Sequence, residues 1–204
     1  MSKGLFYIVT APSGAGKTSL VEAVVSQEDT VCVSVSHTTR PARPGEKNGV
    51  NYHFVSDDEF ISMLKQGKFL ESAEVYGHRY GTSQDWVDQK LKSGHDVILE
   101  IDWQGAQQVR NLHPDVCSIF ILPPSVEALS QRLTKRAQDD AETIDNRMRQ
   151  AVNEITHVAE ADFIVVNDDF ESAVEDMRAI IRSQRLTVLI QEVEQATLLA
   201  SLTR

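Results

Sequence analysis

Apolar residues along this 204-residue chain come in short β-branched and aromatic runs separated by stretches with helical spacing. The first run, Leu5, Phe6, Tyr7, Ile8 and Val9, reads as a buried strand; residues 10–16 then turn, and residues 17–25 can continue as a helix. Further strands are predicted over residues 31–35, 97–101, 119–122 and 163–166. Their content is nearly all apolar rather than strictly alternating. That predicts parallel strands covered on both faces, and so an α/β fold with a central parallel sheet.

Two stretches depart from this rhythm. Residues 38–82 are rich in Pro, Gly, Arg and Tyr, with strand-like pieces near residues 51–55 and a short helix opening at Ser56, where Glu59 stands at capping-box spacing. They predict a small substrate lobe. Residues 125–159 predict two charged amphipathic helices, the second over residues 141–159, set off from the preceding strand by Pro123 and Pro124 and joined through Gln138, Asp139 and Asp140, a plausible lid. Asp169 is expected to cap a helix whose Phe170, Val174, Met177 and Ile181 form a core-facing stripe. In the tail, Val193, Ala196 and Leu199 keep helical spacing, which suits docking in the same subunit or in a partner and leaves homo-oligomerisation open.

Composition narrows the class. A chain of this length with 41% hydrophobic residues can bury a sizeable core, and one domain is expected: a core of residues 1–37, 83–124 and 160–204, a lobe of 38–82 and a lid of 125–159. With 20 basic against 30 acidic side chains the net charge is −10, which argues against nonspecific nucleic-acid or anionic-membrane binding. Cys32 and Cys117 lie among apolar neighbours and read as reduced thiols outside any metal-ligand motif. Without a secretory signal pattern or an apolar run long enough for a bilayer, a cytoplasmic location is expected.

The chemistry starts in the first turn. Ala11, Pro12, Ser13, Gly14, Ala15, Gly16, Lys17 and Thr18 follow a strand and open a helix. The glycines permit a tight turn whose amides converge on phosphate oxygens, and the helix start adds unpaired N–H groups. Lys17 can supply a point charge to the β- and γ-phosphates, and the Thr18 hydroxyl can sit on Mg²⁺. Ala11 replaces the usual first Gly of this phosphate-binding loop (P-loop), but the context of strand, paired glycines, Lys-Thr and helix is intact. A P-loop names a nucleotide and no reaction. Asp102, Trp103, Gln104 and Gly105 also satisfy the loose DxxG pattern of GTPase switches, though an Asn-Lys-x-Asp guanine-reading segment is missing from the sequence.

A second cluster follows. Arg40 and Arg43 stand three residues apart in Pro-stiffened chain, a pair of forks suited to a terminal phosphate. Tyr52, Glu71, Tyr80 and Thr82 add phenols, a carboxylate and a hydroxyl. With the P-loop, Ser36, Asp102, the arginines Arg132, Arg136 and Arg147, and the run Val166, Asn167, Asp168, Asp169, these segments closely resemble the guanylate kinases across essentially the whole chain.

The resemblance implies a P-loop kinase fold with an inserted GMP-binding lobe and a helical lid, and the reaction ATP + GMP giving ADP + GDP, with dGMP also a substrate, Mg²⁺ as metal and no covalent enzyme intermediate. By that resemblance Arg40, Arg43, Tyr52 and Tyr80 clamp the GMP phosphate. Ser36, Glu71, Thr82 and Asp102 read guanine, whose N1–H and N2 amino group suit carboxylates and whose O6 suits a hydroxyl. Lys17, Arg43, Arg132, Arg136 and Arg147 surround the transferring phosphoryl, and Asn167 lies near the donor adenine. Glu100 has no definite role, and Arg79 is expected at the surface. His37, His53 and His78 are not needed as bases, because a phosphate monoester is already ionised near neutral pH. A different P-loop kinase is the enzyme alternative, with Glu71 and Asp102 counting against it. A noncatalytic module of the same fold would be expected to lack Lys17 or the arginine clamp, and both are present.

Overall fold

The computed structural model describes residues 3–75, 77–135 and 141–203. In chain order the elements are β1 (Phe6–Thr10), α1 (Lys17–Val25), β2 (Val31–Val33), β3 (His37–Thr38), β4 (His53–Phe54), α2 (Asp57–Lys65), β5 (Phe69–Val75), β6 (His78–Ser83) and α3 (Gln84–Lys92). There follow β7 (Asp96–Glu100), α4 (Trp103–Leu112), β8 (Cys117–Leu122), α5 (Val126–Lys135), α6 (Ala141–Ile155), a 3₁₀ turn (Val158–Glu160), β9 (Phe163–Val166), α7 (Phe170–Arg185), α8 (Val188–Glu194) and α9 (Ala196–Leu202).

The main sheet runs β2, β7, β1, β8, β9, and all its pairings are parallel. Its strands read as continuous apolar runs because each face packs on helices. Tyr7, Val9 and Ile98 join Leu20, Val21 and Val24 of α1 and Val174, Met177 and Ile181 of α7. Ile8, Val97 and Leu99 point the other way, onto Val87 and Leu91 of α3 and Val109 of α4. Each fully buried aliphatic side chain contributes about 1.5–3 kcal/mol, so these two layers dominate the stability of the core. At the start of β7, Asp96 is 2% exposed and accepts from the Leu5 amide at 2.8 Å and from Arg185 Nε at 3.0 Å, partners that offset part of the cost of its burial.

The second sheet, β4-β3-β6-β5, is mixed and is built from the chain between β2 and α3. β2 is shorter than the predicted residues 31–35. The Ser34 amide still bonds Ile98 O at 3.0 Å, but the chain then leaves the main sheet, and Ser36 O accepts from the His53 amide instead. α2 starts where its cap predicts, with Ser56 Oγ accepting from the Glu59 amide. The stripe on α7 begins a turn late: Phe170 is 39% exposed, whereas Val174, Met177 and Ile181 are buried.

α6 stops at Ile155 rather than continuing to residue 159. The amides of Thr156 and His157 fall back three residues, onto Asn153 O and Glu154 O, which tightens the chain into the 3₁₀ turn. There the His157 ring lies flat on Trp103 of α4, with centroids 3.8 Å apart and an interplanar angle of 7°. The tail is broken at Gln195 into α8 and α9, and Val193, Leu199 and Leu202 are exposed, so its apolar spacing is not spent on this subunit's core. No helix among the described residues is long and apolar enough to cross a membrane.

Candidate functional site

The P-loop joins β1 to α1 at the carboxyl end of the central strand. Gly14 and Gly16 adopt φ of 91° and 93°, a left-handed backbone that favours glycine, and a side chain would be tight at Gly14 and would clash at Gly16. A Cβ on Gly16 would lie 2.4 Å from Asn167 Nδ2, and one on Gly14 would lie 3.0 Å from Leu133 Cδ2 of α5. Asn167 is buried and donates from Nδ2 to Ala15 O at 2.7 Å, so its side chain braces the loop from beneath. Arg132 of α5 donates to Asn167 O at 2.9 Å and to Ala15 O at 3.4 Å. The Ser13 amide donates to Glu154 Oε2 of α6 at 3.0 Å. Lys17 Nζ donates to Ile101 O at 3.0 Å, and Thr18 Oγ1 to Glu100 Oε2 at 2.9 Å. Thr18 and Glu100 thus present two hard oxygen donors at the start of α1, which is the ligand chemistry Mg²⁺ takes.

The second pocket is made by side chains. Thr82 Oγ1 on β6 donates to Glu71 Oε1 on β5 at 2.6 Å, and Ser36 Oγ lies 3.3 Å from Thr82 Oγ1. Glu71 is 4% exposed; burial first, and then the charge of Asp102, push its carboxyl up to about 7 against the pull of the Thr82 hydroxyl and Lys17. Asp102 caps α4, with Oδ1 accepting from the Gly105 amide at 2.9 Å. Its DxxG pattern is therefore a helix cap. Gly105 is small because a Cβ there would stand 2.6 Å from Glu71 Oε2.

Beside this cluster, the Arg40 guanidinium lies 5.4 Å from the Tyr52 ring, and the Tyr52 and Tyr80 rings meet edge-on at 5.9 Å. Arg40 Nη2 donates to Glu46 Oε1 at 2.8 Å, and the Arg43 amide donates to Glu46 Oε2 at 2.7 Å. Burial, chiefly, holds the Tyr52 phenol above its ordinary range, with the charges of Tyr80, Glu100 and Glu46 adding to it. Arg43 is exposed, and its link to Arg40 runs through Glu46, which its amide shares. Arg79 turns away from the cluster, 3.4 Å from Asp57 and 3.7 Å from Glu74.

The two pockets share one wall. At the end of β7, Glu100 takes the Thr18 hydroxyl, Ile101 O takes Lys17, and Asp102 faces Glu71 across Gly105. Arg132 and Arg147 sit in α5 and α6, Arg147 half-buried; Arg136 lies outside the described residues. His37 is stacked on His53 at 4.7 Å, and burial, with His53 beside it, lowers its ring to about 4, so it stays neutral at physiological pH. Three contributors had no role in the sequence reading. Glu46 stands six residues from Arg40, near enough for the pairing to be inferred from the segment itself. Gly105 was visible only as part of DxxG. Glu154 is 141 residues from Ser13 and carries no local signal.

Residues 3–184 match the family model described as guanylate kinase. The chain is 56% identical over 193 residues to the guanylate kinase of Hahella chejuensis, covering 95% of this chain and 93% of that one. It is 60% identical over 184 residues to that of Methylobacillus flagellatus, covering 90% and 91%. Among solved structures, the guanylate kinase of Anaplasma phagocytophilum superposes with a TM-score of 0.78 at 31% identity, covering 95% of each chain.

Proposed function

Because this chain belongs to the guanylate kinase family, we propose that it passes the γ-phosphoryl of ATP to GMP directly and in line, without a covalent enzyme intermediate, and that it accepts dGMP beside GMP. It is a kinase, and membership in the family makes its reaction the ATP-dependent conversion of GMP to GDP. The observation that carries the mechanism is the shared wall: three consecutive residues, Glu100, Ile101 and Asp102, touch Thr18, Lys17 and the surroundings of Glu71. A donor on the P-loop and an acceptor seated on Glu71 would then meet over the same strand end, which is the proximity a two-substrate transfer needs.

We assign residues 38–82 to the acceptor lobe and residues 125–159 to the lid. The P-loop from Ala11 to Thr18 takes the ATP phosphates on backbone amides, Lys17 neutralises charge on the β- and γ-phosphates, and Asn167 serves the donor site by bracing Ala15. Ser36, Glu71, Thr82 and Asp102 read guanine. Arg40, Arg43, Tyr52 and Tyr80 hold its phosphate. Their grouping excludes AMP for a physical reason, because adenine lacks O6 and the N2 amino group and would leave buried polar groups unpaired. Arg132, Arg136 and Arg147 neutralise the transferring group. Thr18 and Glu100 would hold Mg²⁺, which supplies further charge neutralisation when bound. dGMP is included because the assigned groups read base and phosphate and make no demand on the sugar.

A coupled ADP-release assay across GMP, dGMP, AMP, CMP and UMP tests this. Wild type should turn over GMP and dGMP with kcat/KM about 10²-fold or more above the others, and Glu71→Ala should lose most of that margin. Comparable use of AMP and GMP by wild type would overturn the guanine assignment.

A further inference from the structure

On one face of α6, Arg147, Ala151 and Glu154 follow one another at i, i+4 and i+7. Ala151 is fully buried and packs in a small cluster with Leu129 and Leu133 of α5, the same leucines that leave no room for a side chain on Gly14. Glu154 ends this face on the Ser13 amide. Three consecutive P-loop residues are therefore engaged by the helix pair: Ser13 through its N–H, Gly14 by the leucines, and Ala15 through its carbonyl. Nothing in the proposed chemistry uses Glu154, yet it sits within electrostatic reach of Lys17 and Asp102, where its charge costs repulsion against an incoming polyphosphate.

We propose that Glu154 is a positioning residue for phosphoryl transfer. By holding the Ser13 amide it seats α6 on the mouth of the P-loop and so sets Arg147, two helical turns away on the same face, over the phosphates. The inference rests on the site reading above, in which Arg147 meets the transferring group. Glu154 itself touches no substrate. Its pull is geometric, so the acceptor and not the charge is what counts: an amide oxygen of the same reach can take the Ser13 N–H as well.

Steady-state kinetics on the full chain tests this through a cycle of Glu154→Ala, Arg147→Ala and the double variant. Arg147→Ala alone should lower kcat about 10²-fold. Glu154→Ala should lower kcat about tenfold while KM for GMP moves less than about twofold, and Glu154→Gln should recover most of the loss. Because Glu154 acts through Arg147, the double variant should be no slower than Arg147→Ala by itself. Multiplying losses, equal damage to GMP binding, or an unaffected Glu154→Ala would each overturn the proposal. An Arg147→Ala enzyme with wild-type kcat would overturn it too, and would place the fault in the site reading beneath it. If Glu154→Ala fails to fold, Glu154→Asp keeps the charge, shortens the reach by one methylene and enters the same cycle with the same expectations.

Discussion

The donor cradle and the acceptor pocket are built by opposite strategies. The cradle is one continuous loop whose backbone amides, in the function proposed above, take the phosphates. Side chains there are mainly excluded, by Asn167 under Gly16 and by Leu133 over Gly14. The acceptor pocket draws side chains from β5, β6, the chain before β3 and the cap of α4, and its central carboxylate is almost fully buried. A backbone site is sensitive to whatever moves its backbone, the side chains that brace it included. A side-chain site keeps its fold when a residue is replaced, and loses the one group nothing else can supply.

The sharpest break in that comparison is Lys17→Ala, which removes the ammonium group proposed to neutralise the donor phosphates. Turnover should fall about 10²–10³-fold with GMP affinity measured by titration unchanged, since the charge is aimed at the donor. Equal losses in rate and GMP binding would show that the pockets are not separable.

Gly105→Ala probes the opposite side. Alanine gains up to about 1 kcal/mol over glycine in a helix interior, but Gly105 is in the first turn of α4 and its new methyl would stand 2.6 Å from the buried Glu71 Oε2, so the melting temperature should fall as that carboxylate is displaced. KM for GMP should rise about tenfold with KM for ATP unmoved. A variant that is both stable and normal for GMP would remove Glu71 from the base pocket.

The smallest effect is in pH. The Glu71 carboxyl is raised to about 7, so below that value it is protonated and no longer offers guanine's N1–H and N2 amino group a charged acceptor on both oxygens. GMP affinity should therefore strengthen a few-fold as pH rises to about 7, whereas the stability of the ligand-free protein should slip between about 4.5 and 7, where the unfolded chain has already released the proton that the buried group keeps. Glu71→Gln should flatten both differences, leaving only the titration of the GMP phosphate; unchanged profiles would assign the pH response to other groups.

The same contrast explains what the sequence made legible. A backbone cradle must be contiguous, so residues 11–18 announced themselves between a strand and a helix, and a local device such as the Ser56 cap was equally readable. Asp102 was readable as a residue but not as a cap whose neighbour Gly105 leaves room for Glu71. Pairings across the fold gave no signal: Glu154 reaches Ser13 from 141 positions away, and Asn167 lies under a loop built 152 positions earlier. The tail stayed open between two readings for another reason. Spacing tells that a stripe exists, and only packing tells whether anything covers it; here Val193 and Leu199 remain exposed.

The flat contact between Trp103 and His157 gives the molecule an optical handle of its own. One of the chain's 2 tryptophans lies at the root of the helical pair, face to face with an imidazole, while the other, Trp86, sits on α3 with the Lys90 ammonium 5.7 Å from its ring centroid. Any swing of the pair that slides the imidazole from the indole must alter the emission of the first fluorophore and spare the second. A Trp86→Phe protein thus carries a label-free gauge of the movement proposed for the lid, readable in a stopped-flow cell as nucleotides arrive.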